Sequence, residues 1–258
     1  MTYPVFIQPD RDLDILNVGE KVSISGTEAH HAIAVMRLKN GDITDIVDGR
    51  GTRLRSRIVH SDKTQFTAEI IEKITDEPKR IQLHLVQALA KGSRDEQAVE
   101  SCVELGVKSI TPWKAERCVS VWVGNKVQKS IAKWQSLVFA ATKQSRQSYL
   151  PAVNDLCDSK KLSTFIEEKQ SDKVGFFVLH ESADNYLSDL PQKLFDTYEE
   201  IYIIVGPEGG ITENELEMFT QKGAIKVRLS DSVLRTSNAG NVAIAMIGAK
   251  ANLWTDKS

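Results

Sequence analysis

The stretches Val205-Gly-Pro-Glu-Gly-Gly210 and Leu234-Arg-Thr-Ser-Asn-Ala-Gly240 are the most informative parts of this sequence. The first follows a buried-strand pattern at residues 201–205 and runs directly into Thr212 and Glu215, which have the spacing of a capping box at a helix start. Glycines in such a loop let the backbone approach a ligand closely. Because ligands of open α/β sheets bind at this end of the strands, the sequence predicts a ligand-binding loop here.

The second stretch follows another short apolar run and leads into a helix of small and apolar residues, predicted at 239–253. A strand, a glycine turn and a helix occur in many α/β proteins, so either stretch alone is a weak signal for function. The helix carries more apolar residues than one core face needs, among them Ala243, Ile244, Ile247 and Ala251. This excess favours a second packed face and a homodimer.

Length and composition are typical of a globular protein with one large domain or two modest ones. Of the 258 residues, 41% are hydrophobic and 26% are charged, and no apolar run approaches the ~20 residues that span a bilayer. The N-terminus lacks the basic and apolar regions of a signal peptide. The cysteines Cys102, Cys118 and Cys157 have no metal-ligand spacing. We therefore expect a cytoplasmic protein with no membrane partner and no metal site.

Charge is unevenly distributed along the chain. The net charge is −2, but residues 79–150 contain 12 Lys and Arg against 5 Asp and Glu. A basic region on a weakly acidic protein is typical of a phosphate-contacting surface. The alternative is a pair of helix faces whose charges are only solvated.

Two domains are predicted, at residues 1–75 and 76–258. The first is rich in strands, at 21–25, 42–47, 53–58 and 66–74, with one helix at 27–37 capped by Thr27. In the second, strands alternate with helices, which indicates an α/β fold with a parallel sheet. Its first helix is predicted to start at a capping box of Ser93 and Glu96 and to end before Gly106.

Together, in this order, the two glycine-containing stretches resemble the cofactor loops of the SPOUT methyltransferases. That resemblance implies S-adenosylmethionine (SAM) as cofactor and a C-terminal chain threaded through a trefoil knot, a topology that is otherwise nearly absent from proteins. It also implies that the cofactor site lies at a dimer interface.

Further motifs narrow the resemblance to the ribosomal small-subunit uridine-N3 methyltransferase family. They run in order through nearly the whole chain: Glu28-Ala-His-His31, Val35-Met-Arg-Leu-Lys39, Asp48-Gly-Arg-Gly51, Ala90-Lys-Gly-Ser-Arg94, Glu104-Leu-Gly-Val107, Glu116-Arg117, Gln144-Ser-Arg146, Leu179-His180 and Val233-Leu-Arg-Thr236. The resemblance implies a small N-terminal PUA-like β-barrel for RNA and a C-terminal SPOUT domain. It also implies methylation of a uracil N3 in 16S ribosomal RNA, either naked or in the assembled small subunit.

The chain departs from the family pattern at three places. Ser237 and Asn238 stand where the family commonly has Glu and Thr, the residues before Leu234 lack its usual Gly-Pro-Arg, and no basic residue precedes Phe6. Two alternatives therefore stay open. The chain could bind ribosomal RNA without methylating it, or it could methylate a ribose 2′-oxygen as other SPOUT branches do.

The resemblance implies specific site residues. The cofactor-binding candidates are Leu179, His180, Val205, Gly206, Pro207, Glu208, Gly209, Gly210, Leu229, Ser230, Val233, Leu234 and Thr236. The RNA-binding candidates are Arg37, Arg50, Arg53, Arg55, Lys91, Arg94, Lys143 and Arg146. The alternative for these basic residues is simple solvation, and for Glu208 it is a structural role in the loop.

Arg235 is the catalytic candidate. A uracil N3 is a poor nucleophile while it is protonated, so the enzyme must stabilise the anion that forms. A guanidinium cannot act as a base at neutral pH, but it can hydrogen-bond a carbonyl oxygen of the base and stabilise developing negative charge. The alternative is a structural ion pair with a neighbouring carboxylate.

Overall fold

The computed structural model describes residues 3–254, which divide into two compact units. One unit consists of the chain up to Pro78 together with Thr142–Leu150, and the other consists of Lys79–Ala141 and the chain from Pro151 onward. Within the described part of the chain, none of the helices has both the length and the apolar character that crossing a membrane requires.

The first unit is built on a five-stranded sheet with the order β1-β3-β4-β5-β2. Its strands are β1 (Val5–Ile7), β2 (Lys21–Ser25), β3 (Ile43–Val47), β4 (Thr52–Ser61) and β5 (Gln65–Thr75). β1 pairs with β3 in parallel and the other neighbours are antiparallel. Alternating apolar side chains from these strands, including Phe6, Ile24, Leu54 and Phe66, form the core.

The helix predicted at 27–37 is interrupted. The structure has α1 (Gly26–His30), with Ser25 rather than Thr27 at its N-cap, followed by a π-helical turn at His31–Val35. Arg37 then takes a positive φ of 57°, which ends the helical run. Sequence periodicity does not distinguish a π turn from an α-helix over so few residues.

The second unit is built on a parallel sheet with the order β12-β10-β11-β6-β7-β8, and β9 also pairs with β7. Its strands are β6 (Gln82–Ala88), β7 (Ser109–Lys114), β8 (Ala152–Val153), β9 (Cys157–Asp158), β10 (Val174–Leu179), β11 (Glu200–Val205) and β12 (Ile225–Val227). Its helices are α2 (Arg94–Glu104), α3 (Asn125–Gln144, whose last three residues belong to the first unit), α4 (Ser159–Lys169), α5 (Gln192–Thr197), α6 (Glu213–Gln221) and α7 (Thr236–Lys250). The predicted α/β class with a parallel sheet is confirmed.

One of the two predicted capping boxes is correct. At α6, the Thr212 side chain accepts from the Glu215 backbone N–H, and the Glu215 carboxylate accepts from the Thr212 N–H. At α2, Ser93 adopts a left-handed φ of 60° and its side chain makes no capping bond. Asp95 ties this turn together instead, because its carboxylate accepts from the N–H groups of Ala90 and Glu96.

Candidate cofactor site

Three adjacent parallel strands end at the same edge of the sheet. β10 lies between β11 and β12, and Leu179 at the end of β10 is paired with both Val205 and Val227. The segments that leave these strands begin at His180, Gly206 and Arg228. This juxtaposition of loops at the carboxyl ends of strands is where open α/β sheets bind ligands.

The glycine loop, residues 206–210, is a tight turn with no room for side chains at its start. A Cβ on Gly206 would lie 2.6 Å from a side-chain carbon of Ile211, so the loop requires glycine there. Gly210 has a φ of +75°, and its N–H donates to the Pro207 carbonyl at 2.9 Å. The loop then enters α6 through the Thr212–Glu215 capping box.

A hydrogen-bond chain ties the glycine loop to the start of α7. The Thr236 hydroxyl donates to the Gly206 carbonyl at 2.8 Å and accepts from the Gln87 side-chain amide at 2.9 Å. Gln87 is fully buried in β6. The two stretches that the sequence singled out are therefore joined through a third strand, a contact that no sequence pattern indicates.

A cavity of about 550 Å³ opens between these segments, within the size range of small-molecule sites. A smaller cavity of about 80 Å³ shares several of its walls. Every cofactor-binding candidate lines one or both of them. The larger is lined by Leu179, His180, Val205, Gly206, Pro207, Glu208, Gly209, Gly210, Val233, Leu234 and Thr236, and the smaller adds Leu229 and Ser230. The geometry brings these residues together, while their binding role stays a prediction.

Glu208 is held by the turn that precedes α2. Its carboxylate accepts from the Lys91 backbone N–H and from the Arg94 guanidinium, both at 3.0 Å. Burial by itself would raise the pKa of Glu208, but hydrogen bonds from its own backbone, from Lys91 and from Arg94 together lower it. The side chain is thus an anchored carboxylate, which favours the structural alternative for this residue.

Arg235 lines the larger cavity from the N-cap of α7. Its side chain is exposed, and across residues 3–254 it has no hydrogen-bond or ion-pair partner. The structural alternative required a carboxylate partner for this guanidinium, and the described residues provide none. Its five donors remain available to a ligand in the cavity.

Several residues of the larger cavity were missed by sequence reasoning. These are Arg117, Glu181, Ile211, Glu213 and Ala239. Only Arg117 carried a signal, because it belongs to the Glu116-Arg117 motif of the family resemblance. Its guanidinium donates to the Gly209 carbonyl at 3.2 Å, a contact between residues 92 positions apart in sequence.

The RNA-binding candidates differ in their location and in their partners within the chain. Arg53 and Arg55 both pair with Asp45, and they also pair with Asp76 and Glu72 respectively. Lys91 contributes its backbone N–H to Glu208, whereas Arg94 lines the larger cavity. The remaining four, Arg37, Arg50, Lys143 and Arg146, belong to the first unit.

Internal partners also restrain some of those four. Lys143 forms an ion pair with Glu28 at 2.6 Å, in which both side chains are largely buried, and Arg50 donates to the carbonyls of Pro9 and Arg11. Arg37 is exposed. The partners of Lys143, Arg53 and Arg55 favour a structural contribution from these three. No group of three or more acidic, histidine or cysteine side chains suited to a metal occurs in the described part of the chain.

Comparison with known proteins gives a consistent result. Residues 77–248 match the family described as RNA methyltransferase domain, and residues 24–71 match the RNA methyltransferase PUA domain. A Mycobacterium bovis protein named ribosomal RNA small subunit methyltransferase E is 32% identical over 238 residues, covering 92% of this chain and 90% of its own length. The protein of the same name from Bacillus subtilis is 26% identical, covering 90% of this chain and 91% of its own length.

Solved structures agree with the sequence comparisons. The ribosomal RNA small subunit methyltransferase E of Neisseria gonorrhoeae, bound to S-adenosyl methionine, superimposes with a TM-score of 0.82 at 27% identity over the full length of both chains. The expected fold, a PUA-like domain followed by an α/β methyltransferase domain, is therefore confirmed.

Proposed function

The chain belongs to the ribosomal RNA small subunit methyltransferase E family of RNA methyltransferases, and from this membership we propose that it methylates N3 of a uracil in 16S ribosomal RNA with SAM as methyl donor. The observation that carries the proposal is the cavity of about 550 Å³ that both glycine-containing stretches line, together with Arg235, whose side chain has no partner among the residues that the structure describes. SAM supplies an electrophilic methyl group. The protein contributes mainly the positioning of the two reactants.

The residues present fit this cofactor. Gly206 and Gly209 leave the wall of the cavity without side chains, and Leu179, Val205 and Leu234 give it apolar surface. These are the groups we expect to hold the adenosine part of SAM. The hydrogen-bond chain from Gln87 through Thr236 to Gly206 fixes the loop before the ligand binds, so little ordering is needed on association.

Arg235 has the chemistry that the uracil requires. Loss of the N3 proton spreads negative charge onto the carbonyl oxygens, and a guanidinium can donate to one of them through two N–H groups. Charge that develops only in the transition state is stabilised selectively, which accelerates the reaction. Arg235 therefore lowers the energy of the uracil anion without itself accepting the proton.

A binding measurement tests the cofactor part of the proposal. Calorimetry with S-adenosylhomocysteine should give one site per chain. Gly209→Val should abolish or strongly weaken it, because a Cβ there already lies 3.0 Å from the Cβ of Arg117 and further atoms enter the cavity. Thr220→Val, at an exposed position of α6, serves as the control. Absence of binding by the wild-type chain at millimolar ligand would reject the methyltransferase proposal.

The proposal includes a homodimer, supported by one face of α7. The apolar residues that the sequence placed in excess, Ala243, Ile244, Ile247 and Ala251, are all buried within the chain. Val242, Ala245 and Met246 remain partly exposed on the same helix. A second copy of the chain packing on this face would bury them.

Light scattering tests the dimer. We expect twice the chain mass of 28.7 kDa at micromolar concentration, and Ala245→Arg should shift the protein towards the monomer. Thr220→Arg, which adds the same charge at the exposed position on α6, should not. A stable wild-type monomer would reject the dimer and leave the cofactor proposal to its own test.

The proposed function also includes the trefoil knot that the family resemblance implies for the C-terminal part of the chain.

A further inference from the structure

Two arginines from different elements contact adjacent residues of the glycine loop. Arg94 is the first residue of α2, and its guanidinium donates to the Glu208 carboxylate at 3.0 Å. Arg117 follows β7, and its guanidinium donates to the carbonyl of the next loop residue, Gly209, at 3.2 Å. Both arginines line the larger cavity.

Each of these guanidinium groups makes one hydrogen bond to the glycine loop and is otherwise exposed to solvent. A guanidinium has five N–H donors. Among the described residues, Arg94 and Arg117 each have a single side-chain hydrogen bond, the one to the glycine loop. The Arg94 side chain is 48% exposed, and Arg117 is also exposed. Most of their donors are therefore available to a ligand that enters from solvent.

Buried carboxylates support the backbone beside both arginines. Next to Arg94, Asp95 is 5% exposed and accepts from the Ala90 N–H at 3.1 Å. Next to Arg117, the N–H of Glu116 donates at 2.9 Å to Glu215, which is fully buried. Because the backbone on each side is fixed, little backbone entropy is lost when either arginine binds a ligand.

Phosphate is the ligand that fits this arrangement. Planar guanidinium groups bind phosphate oxygens through paired hydrogen bonds, and two of them at one cavity favour an anion with several acceptor oxygens. The methyl donor carries a net positive charge, so as a whole it gains little from two cations. The nucleic-acid substrate carries a phosphate on each side of every base.

We propose that Arg94 and Arg117 together clamp a backbone phosphate next to the uridine that is methylated, while Glu208 and Gly209 of the cofactor loop hold the clamp in position. The inference rests on the proposed function, since it names the part of the RNA that the same cavity binds. It gives a role in substrate binding to Arg117, which was not among the RNA-binding candidates.

Paired binding measurements test the clamp. For Arg94→Gln and Arg117→Gln, any loss of S-adenosylhomocysteine affinity measured by calorimetry should come only from the missing hydrogen bond to the glycine loop and should be smaller than the loss of RNA affinity. The affinity for 16S ribosomal RNA should fall roughly tenfold, and the slope of its logarithm against the logarithm of salt concentration should decrease by about 0.7–0.9 for each arginine. Arg117→Lys should restore the slope but only part of the affinity. Lys193→Gln, at an exposed position of α5, is the matched control for loss of one positive charge.

Three results would overturn the clamp. If the variants bound S-adenosylhomocysteine much more weakly while the salt dependence of their RNA affinity stayed as in wild type, the arginines would bind the carboxylate of the cofactor. Unchanged affinity for both ligands would show that they bind neither. An equal change in Lys193→Gln would show a general charge effect. A different result bears on the proposed function. If the wild-type protein binds no ribosomal RNA at all, the proposed function fails. If it binds RNA and the Arg117 variant binds equally well, only the clamp fails.

Discussion

At the scale of single residues, the three arginines of the larger cavity differ in their partners. Arg94 and Arg117 are each held by the glycine loop, whereas Arg235 has no side-chain partner within residues 3–254. Held side chains suit a permanent binding contact. A free guanidinium at the N-cap of α7 suits a group whose partner arrives with the substrate.

Replacement of Arg235 by alanine should lower turnover by about 10²–10³-fold, since one charge-stabilising contact in the transition state is lost. S-adenosylhomocysteine affinity should change little, because the contact is made to the uracil. Rates of methyl transfer to 16S ribosomal RNA, measured under single-turnover conditions between pH 7 and 9, provide the test. Higher pH should partly restore the alanine variant by supplying ionised uracil, and Arg235→Lys should recover only part of the rate. Lost cofactor binding with an unchanged rate per bound cofactor would instead assign Arg235 a structural role.

At the scale of elements, the sequence predicted features that depend on near neighbours. The capping box of Thr212 and Glu215 is correct because both partners lie within one turn. The corresponding box at Ser93 is wrong because a left-handed Ser93 and the Asp95 carboxylate replace it. The predicted helix at 239–253 instead runs from Thr236 to Lys250, and its N-cap residue, Arg235, makes no side-chain capping bond that the sequence could signal. The link from Gln87 to Thr236 joins positions 149 residues apart, so no local pattern could indicate it.

Thr236→Val should destabilise the second unit by about 1–3 kcal/mol, since it removes the hydroxyl that donates to the Gly206 carbonyl and that accepts one of the two hydrogen bonds of the buried Gln87 amide. S-adenosylhomocysteine affinity should fall as well, because the glycine loop loses its tie to α7. Urea unfolding followed by tryptophan fluorescence measures the change, as all four tryptophans lie in the second unit. Thr220→Val on α6 should change the free energy of unfolding by no more than about 0.5 kcal/mol. Equal effects of the two substitutions would contradict the proposed tie.

In the molecule as a whole, the partners of the charged side chains were predicted less well than the fold. The strand predicted at 53–58 correctly includes Arg53 and Arg55, but its pattern could not reveal that Asp45 pairs with both of them. Such pairs depend on which strands become neighbours, and the sequence does not specify this directly. The residues that line the cavity were easier to group from the sequence, because many of them lie where a predicted strand ends or a predicted helix begins.

Stability of the second unit should depend on pH through His84, at the amino end of β6. Burial, opposed in part by Glu200, lowers the pKa of this imidazole from 6.5 to about 4. Its Nδ1 is 2.7 Å from the Ser109 hydroxyl, and its Nε2 lies 3.6 Å from the Glu200 carboxylate without a hydrogen-bond partner within residues 3–254. The unfolded chain therefore binds a proton more readily, and stability present above about pH 6.5 is lost as the pH falls towards 4.

The loss attributable to His84 should approach about 3 kcal/mol. Urea unfolding between pH 7 and 4 should show a flatter pH dependence for His84→Gln than for wild type. His60→Gln, at a side chain that is 65% exposed, should leave the dependence as it is in wild type. The same slope in all three proteins would contradict the assignment to His84.

Identification of the methylated atom tests the central claim most directly. 16S ribosomal RNA or small subunits from cells that lack this chain are incubated with the purified protein and SAM, then analysed by primer extension and by mass spectrometry of the digested nucleosides. We predict one 3-methyluridine, which stops reverse transcriptase because it blocks Watson–Crick pairing, and loss of that product in Arg235→Ala. A 2′-O-methylated nucleoside without a stop would contradict the predicted chemistry, and RNA binding without any methyl transfer would contradict catalysis altogether.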